Sequence, residues 1–346
     1  MTSEWFTATY TIMRERLQHI ISGAVQVIPL SSLIRLTGVR TVLPFYHAVS
    51  DIDLPHLKHL YPIITTRLFE KQLDFLLRRY RPASYEILLR ESLPEGRYFI
   101  LTFDDGLRQV HDVVAPILLR KGIPATFFLN TGFIDNRAMF YRLKVSLLIE
   151  QLLTAKTTAL ENDVKAACER YGIEYRQPQD VKNITEGQKQ LLDELTEIDF
   201  QHYLANEQPY LTTEQVHRLR QQGFTVGAHS VTHPYFPALS QEERIRETLE
   251  SVRTVKKEFS MNDGLFSFPY TDYEIGAGFF DAIRPEVLLS FGTANLKRDC
   301  IASNFQRIPM ELPGKEDAEQ LVKMQYLLHL IKRTIGKSTI QRHEWL

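Results

Sequence analysis

The feature that most constrains the fold of this chain is a series of short apolar runs that each end at polar residues. These runs cover residues 41–47, 98–104, 125–130, 224–229 and 265–270. Apolar runs of this length, with Gly and Pro nearby, are typical of strands that are buried on both faces of a parallel sheet. The polar residues then follow the carboxyl ends of the strands, where the active sites of such folds lie.

Helical patterns separate the apolar runs. They cover residues 66–80, 110–121, 212–222 and 240–259, and the last two begin with capping sequences. Strands that alternate with helices indicate an α/β fold with a parallel sheet. We therefore predict an irregular (β/α) barrel of about seven strands, with the functional site on one face.

One long stretch, from about residue 135 to 210, interrupts this alternation. It is rich in helical patterns and carries the Lys, Glu and Gln residues of solvated helices. We predict a helical insertion that either covers the site or packs beside it. The predicted organisation is an N-terminal helical segment at 1–40, the barrel at 41–313 and a C-terminal helix at 314–346.

The charge and cysteine content exclude several classes of partner and site. The 41 Lys and Arg residues nearly balance the 42 Asp and Glu residues, so we expect no binding to nucleic acid. Cys168 and Cys300 lie far apart and form neither a disulfide framework nor a thiolate zinc site. This cysteine usage fits a reducing compartment, and we expect a cytoplasmic protein.

The N-terminal region carries a mildly apolar stretch at residues 20–36. It is interrupted by Gln26 and Pro29, has no small-residue cleavage site, and is shorter than the roughly 20 apolar residues that span a bilayer. We predict an amphipathic helix that packs on the domain. The alternative is peripheral membrane contact through this N-terminal helix.

The sharpest motif is the pair Asp104 and Asp105, followed by Gly106. Two adjacent carboxylates raise each other's pKa unless a cation is nearby, and a bound divalent metal removes that cost. The alternative is an ordinary turn, because Asp-Gly is a common turn pair. The apolar run that leads directly into the pair favours a site.

Two histidines, His229 and His233, lie four residues apart. In a helical turn this spacing would place both imidazoles on one face, where they could bind one metal ion. Two histidines and one aspartate leave coordination positions open for water and substrate, as a catalytic metal needs.

Three motifs together resemble a known family. They are TFDDG at 102–106, HSVTH at 229–233 and FPY at 268–270. The chain resembles the polysaccharide deacetylases of carbohydrate esterase family four, which carry the nodulation-type deacetylase domain. The resemblance extends over about residues 41–313 outside the helical insertion. It is greatest to the circularly permuted branch that is similar to poly-N-acetylglucosamine deacetylases.

The resemblance implies a role for each matching residue. Asp104 would be the general base that deprotonates the attacking water, and Asp105, His229 and His233 would be the metal ligands. The backbone N–H of Tyr270 would stabilise the oxyanion. Zinc suits this ligand set, while nickel and cobalt stay open.

Two positions depart from the family pattern. Ser267 stands where the family often has an arginine that braces the catalytic aspartate. Arg307 is either a substitute for that arginine or a surface arginine.

The second departure concerns the general acid. His329 lies in a predicted amphipathic helix, which is a poor location for a catalytic acid. His47 ends a strand within a Tyr-His element such as the permuted branch uses, and we predict that it protonates the leaving amine. The alternative is a structural histidine at the barrel rim.

The remaining candidates have no spacing that requires a function. They either line a substrate groove or contact a sugar, or else they are ordinary loop residues: His56, His59, Asn130, Thr131, Tyr235 and Tyr273.

We predict a metal-dependent hydrolase that removes an N-acetyl group from an amino sugar in a glycan or glycolipid precursor. The alternatives are a carbohydrate O-acetyl esterase and a catalytically inactive sugar-binding barrel.

Overall fold

The chain of 346 residues is described from a computed structural model. The structure describes residues 23, 25–155, 158–195, 199–312, 314 and 317–343. Residues 1–22, the larger part of the predicted N-terminal helical segment, lie outside the described residues. Among the described residues, no helix has the length and apolar character needed to cross a membrane.

Parallel strands form one large sheet around the centre of the molecule. They are β1 (Pro44–Tyr46), β2 (Leu101–Phe103), β3 (Ala125–Leu129), β4 (Thr225–Ala228), β5 (Leu265–Ser267), β6 (Leu289–Gly292), β7 (Asn304–Gln306) and β8 (Ile308–Pro309). Their order in the sheet is β7-β6-β5-β4-β3-β2-β1-β8.

The two outermost strands of that order, β7 and β8, are halves of one chain segment that is joined at Arg307. β7 pairs with β6, and β8 pairs with β1 on the far side of the sheet. The segment therefore closes the sheet into a barrel with seven chain segments around it. This confirms the predicted irregular (β/α) barrel.

Two of the apolar runs each form two short strands, where the sequence predicted one. Thr41–Val42 and Tyr98–Phe99 pair with each other in a separate small sheet, to which Arg81–Pro82 also belongs. The chain then breaks at Leu43 and Ile100 before it enters the barrel. These two side chains are buried in a cluster apart from the main core, and that packing accounts for the breaks.

Helices surround the barrel. They are α1 (Leu30–Thr37), α2 (Thr66–Arg79), α3 (Ala115–Lys121, which follows a π-helical turn at Val110–Val114), α4 (Tyr141–Ala155), α5 (Thr158–Arg170), α6 (Gln190–Glu194), α7 (Phe200–Glu207), α8 (Thr213–Gln221), α9 (Gln241–Glu258), α10 (Ala277–Ile283) and α11 (Ala318–Thr334). Thr212 and Ser240 cap α8 and α9, as the sequence predicted.

Helices α4 to α7 lie within the stretch predicted as the helical insertion. Their apolar side chains share one buried cluster with Leu57, Leu107 and Phe133, which lie in the loops after β1, β2 and β3. The insertion therefore packs over the carboxyl ends of these three strands. At the other end of the chain, α11 ends at Thr334, and a short strand, Thr339–Ile340, pairs with Arg298–Asp299.

Candidate metal and catalytic centre

Asp105, His229 and His233 come together at the carboxyl end of the barrel, as the sequence predicted. Asp105 Oδ1 lies 3.4 Å from His229 Nε2 and 3.2 Å from His233 Nε2. The ligand atoms of the three residues all lie within 4.8 Å of one another. Asp105 Oδ1 is buried and has no hydrogen-bond partner among the described residues. An orphaned carboxylate oxygen between two imidazole nitrogens fits a divalent metal ion, and the donor set suits zinc.

The orientation of His229 is set by its neighbours. Its Nδ1–H donates to the carbonyl oxygen of Ser267 at 2.8 Å, which leaves Nε2 as the lone-pair atom that faces Asp105. The side-chain amide of Asn130 donates to the His229 carbonyl. Asn130 therefore holds the backbone of a candidate ligand, and this contact explains why it is buried at the end of β3.

The interpretation of the histidine spacing as a helical turn is wrong. Residues 229–233 form a loop, in which Ser230 and His233 adopt left-handed φ angles of 69° and 56°. The carboxylate of Glu247 accepts hydrogen bonds from the N–H groups of Val231 and Thr232 at 2.8 and 3.0 Å. The loop turns His233 back toward His229, so that the two rings lie 4.9 Å apart without a helix.

The left-handed conformation recurs at other candidate residues. Asp105 has a φ of 72° and Tyr270 a φ of 57°. Non-glycine residues rarely adopt these angles, and such strained residues concentrate at functional sites.

Asp104 is almost fully buried and is paired with a single guanidinium. Arg307 donates to Asp104 Oδ1 at 2.7 Å and to Oδ2 at 2.8 Å, in a bidentate arrangement. Burial by itself would raise the pKa of Asp104, but the charge and hydrogen bonds of Arg307 outweigh it and lower that pKa below its ordinary value. Asp104 is therefore held as a carboxylate beside the candidate metal ligands.

Arg307 is not a surface residue, since its side chain is fully buried, and its contact with Asp104 is the one expected of a substitute for the missing arginine. Ser267, at the position where the family often has arginine, accepts a hydrogen bond from Arg307 at 2.7 Å and lies 3.3 Å from Asp104 Oδ1. The guanidinium also stacks over the Phe45 ring at 4.5 Å. The bracing charge thus comes from the segment that closes the barrel, while the smaller Ser267 leaves room for it.

His47 lies at the rim of the barrel, where it contacts the buried carboxylate of Glu311. Its Nδ1 is 2.7 Å from Glu311 Oε2, and the N–H groups of His47 and Ala48 donate to the same carboxylate at 3.0 and 3.1 Å. Burial alone would lower the pKa of His47, but the charge and hydrogen bond of Glu311 raise it to about 9. His47 is therefore protonated at neutral pH.

Tyr270 lies beside the candidate metal ligands, with its ring 4.8 Å from that of His233. No hydrogen bond from its backbone N–H to another described residue is present. Burial raises the pKa of its hydroxyl, so the side chain is neutral. The N–H is a hydrogen-bond donor that is available at the rim.

Two other histidine candidates, His56 and His59, are accounted for by protein contacts. His56 is buried with Nδ1 2.8 Å from the hydroxyl of Tyr203, and burial lowers its pKa to about 4. His59 Nε2 lies 2.9 Å from Glu150 Oε2. Both histidines thus link the loop after β1 to the helical insertion. His329 is buried within α11 and does not belong to the group of converging candidate ligands.

The remaining candidates are one buried residue, Thr131, and two exposed tyrosines. Thr131 is buried, and its N–H donates to the carbonyl of Ser230. Tyr235 and Tyr273 are exposed, and the Tyr235 ring lies 5.7 Å from the ring of Tyr270. Tyr235 is therefore placed where a ring could stack on a sugar.

Two functional candidates were missed from the sequence. Glu311 follows β8, a two-residue strand that contains proline and shows no apolar run. The same strand-end rule that identified Asp104 would have found it had β8 been recognised. Tyr61 stacks on His47 at 4.6 Å with its hydroxyl 3.5 Å from Asp105 Oδ2, but it lies in a loop, where no spacing signals it.

Most of these site residues lie in a segment that matches a known protein family. The family model described as polysaccharide deacetylase matches residues 92–275, which is more than half of the chain and includes Asp104, Asp105, His229, His233 and Tyr270. The chain belongs to the polysaccharide deacetylase family. His47, Arg307 and Glu311 lie outside the matched segment. No curated protein matches the chain.

Solved structures of this family share the fold. The deacetylase PplD of Streptococcus pyogenes is 19% identical, with a TM-score of 0.53 over 83% of this chain and 98% of PplD. IcaB from Ammonifex degensii is 18% identical, with a TM-score of 0.53 over 83% of this chain and 98% of IcaB. The polysaccharide deacetylase BC0361 from Bacillus cereus is 13% identical, with a TM-score of 0.50 over 82% of this chain and 68% of BC0361. The IcaB match fits the predicted resemblance to the permuted branch of carbohydrate esterase family four.

Proposed function

We propose that this member of the polysaccharide deacetylase family is a metal-dependent hydrolase that removes an N-acetyl group from an amino sugar. The observation that carries the proposal is the convergence of Asp105, His229 and His233 beside the buried Asp104. A divalent ion held by these three residues supplies a Lewis acid and lowers the pKa of water. Zinc suits the ligands best, and nickel and cobalt also bind such sets.

Asp104 is the proposed general base. Its Oδ2 lies 4.0 Å from His229 Nε2, so the carboxylate is next to the ligands at the point where the attacking water would be held. Arg307 keeps Asp104 ionised and fixes both of its oxygens. The ionised carboxylate would accept the proton of the water as the water attacks the acetyl carbonyl.

His47 is the proposed general acid. An amine is a poor leaving group unless it is protonated, whereas an alcohol leaves more readily from an ester. A histidine that Glu311 holds in the protonated form is therefore suited to the cleavage of an amide. This observation favours N-deacetylation over the O-acetyl esterase alternative.

The backbone N–H of Tyr270 is the proposed donor to the oxyanion that forms on the acetyl carbonyl. Backbone donors in a fixed geometry stabilise developing negative charge without reorganisation. The exposed Tyr235 and Tyr270 rings suit the face of a sugar ring. The solved structure of the deacetylase PplD is a complex with acetate, which is the product expected here. We propose a glycan or a glycolipid precursor as the substrate.

The test is acetate release from N-acetylated and O-acetylated sugars by the zinc-loaded protein and by Asp104→Asn. We expect release from N-acetyl sugars, with a decrease of about a hundredfold or more in the variant. Asp112→Asn, which alters an exposed aspartate, is the matched control and should keep full activity. Zinc binding without acetate release from either substrate class would instead support the inactive sugar-binding barrel.

A further inference from the structure

We propose that the helical insertion closes the catalytic cleft on one side, so that the enzyme acts on a single amino sugar or on one at the end of a chain, and not on sugars in the interior of a polymer. This inference rests on the proposed function. A polymer that is deacetylated at an interior sugar must leave the site at both ends of the cleft. On one side of the site, Tyr61 and Phe140 pack against the candidate acid and a candidate ligand, and we infer that they form a wall there.

The first part of the wall comes from the loop after β1. Tyr61 stacks flat on His47, with their ring centroids 4.6 Å apart and an interplanar angle of 24°. Its hydroxyl lies 3.5 Å from Asp105 Oδ2. The side of the cleft between the candidate acid and the candidate metal ligand is thus filled by one aromatic ring.

The second part of the wall comes from the insertion itself. The ring of Phe140 lies 4.6 Å from that of His233. The N–H of Phe140 donates to the hydroxyl of Tyr210 at 3.0 Å. The N–H of Arg108, two residues after Gly106, donates to the carbonyl of Pro209 at 2.9 Å. The insertion is therefore tied by hydrogen bonds to the Asp-Asp-Gly loop and packs on a candidate ligand.

A bridge of side chains connects the insertion to the loop after β5. The ring of Phe140 lies 6.5 Å from the ring of Tyr270, and Tyr141 and Arg142 at the start of α4 act electrostatically on the Tyr270 hydroxyl. Arg142 stacks 4.9 Å from the centroid of the Tyr141 ring and donates to the carbonyl of Lys182 at 2.6 Å. The bridge, defined as Tyr141, Arg142 and the Tyr270 hydroxyl, therefore joins the insertion to the loop after β5.

The open side adjoins this wall, at the loops after β4 and β5. The wall covers the carboxyl ends of β1, β2 and β3, whereas the exposed Tyr235 and Tyr270 follow β4 and β5. These two tyrosines are 46% and 40% exposed, and the side chain of His47 is 26% exposed. A sugar can therefore reach the centre from the tyrosine side, with the rest of its chain extending to solvent on that same side.

The test maps the position of deacetylation in an oligosaccharide. The zinc-loaded full chain is incubated with a chitin pentasaccharide and with a pentasaccharide of poly-N-acetylglucosamine, each isotope-labelled at the reducing end, and with a single N-acetylglucosamine glycoside. Tandem mass spectrometry then locates the free amine. We expect free amines at a terminal sugar in at least about tenfold excess over interior sugars, a difference that needs only modest discrimination between binding modes.

A double variant, Tyr141→Phe with Arg142→Ala, removes the polar contacts of the bridge. We expect the interior fraction to rise about fivefold or more, while acetate release from the single glycoside stays within about twofold. Arg170→Ala, which breaks an exposed ion pair elsewhere on the insertion, is the control and should leave the pattern unchanged.

The outcomes are distinguishable. Interior deacetylation by the wild type at a yield equal to or above that of terminal sugars would overturn the closed cleft and leave the hydrolase proposal intact. An absence of acetate from every N-acetyl substrate would overturn the proposed function, and this inference with it.

Discussion

At the residue scale, the guanidinium of Arg307 stabilises the ionised form of the buried Asp104 carboxylate. Both side chains are at most 3% exposed, and they lie 203 positions apart in the sequence. Burial of an ionised carboxylate is costly unless it is paired and hydrogen-bonded. Here the guanidinium satisfies both carboxylate oxygens, so the pair makes an ionised base compatible with the interior of the barrel.

We predict that Arg307→Met lowers both activity and stability. Removal of one partner from a buried ion pair typically costs about 3–5 kcal/mol in the free energy of unfolding. The pKa of Asp104 should rise, which would shift the acidic limb of the kcat/KM profile to higher pH. The measurements are urea unfolding and acetate release against pH. Arg298→Met, at an exposed arginine, is the control, and an unchanged acidic limb in Arg307→Met would contradict the role of Arg307.

The pKa of His47 gives a second prediction. An acid with a pKa of about 9 loses its proton as the pH rises through that value, so kcat/KM should fall on the alkaline side near pH 9. Glu311→Gln removes the charge that raises this pKa, and the alkaline limb should move to lower pH. The pH profile of the initial rate measures the shift. Glu150→Gln changes the partner of His59 in the same way and should leave the limb in place.

The same pKa links His47 to stability. A histidine whose pKa is raised in the folded state stabilises the fold fully below about pH 6.5, its ordinary value, and this contribution is lost as the pH rises through about 9. Activity and part of the stability should therefore decline over the same alkaline range.

At the scale of elements, the loop after β4 presents one candidate ligand in a strained conformation. Glu247, which projects from α9, receives hydrogen bonds from the N–H groups of Val231 and Thr232 and from the Thr232 hydroxyl. These contacts offset the strain of the left-handed residues in the loop. The helix thus helps to form the metal site although it supplies no ligand.

We predict that Glu247→Ala weakens zinc binding by about tenfold or more, as is usual when groups that orient a ligand are removed. The measurement is a competition titration with a chelating dye. Glu250→Ala alters an exposed residue of the same helix and should leave the affinity unchanged. An affinity in Glu247→Ala equal to that of the wild type would show that the loop holds His233 without this support.

The sequence predicted those helices and strands whose bounds depend on neighbouring residues. The capping residues Thr212 and Ser240 placed the starts of α8 and α9, and the apolar runs placed β1 to β5 with the polar residues at their ends. β6 and the segment at 304–309 were not located, because short strands at a closure point carry little periodicity. Glu311 was lost with them.

At the scale of the whole molecule, the closure of the barrel could not be predicted from local pattern. The segment at 304–309 passes from β6 to β1, and its midpoint, Arg307, reaches the candidate base on β2. Neither the pairing of distant strands nor the packing of the insertion on three loops is encoded in the spacing of nearby residues. These contacts depend on long-range burial, and they decide the shape of the cleft.

The C-terminal strand contributes a second long-range contact, and it gives a prediction for the whole fold. Arg342 pairs with Asp272 and Asp299, and all three side chains are at most 3% exposed. Arg342→Met would leave two buried carboxylates without their cation, so we expect a loss of about 3–5 kcal/mol in the free energy of unfolding. Arg253→Met breaks a bidentate but exposed pair with Glu286 and should cost about 1 kcal/mol or less. The measurement is urea unfolding of both variants. Equal losses in the free energy of unfolding would contradict this prediction, because the contact of Arg342 would then stabilise the fold no more than a surface ion pair does.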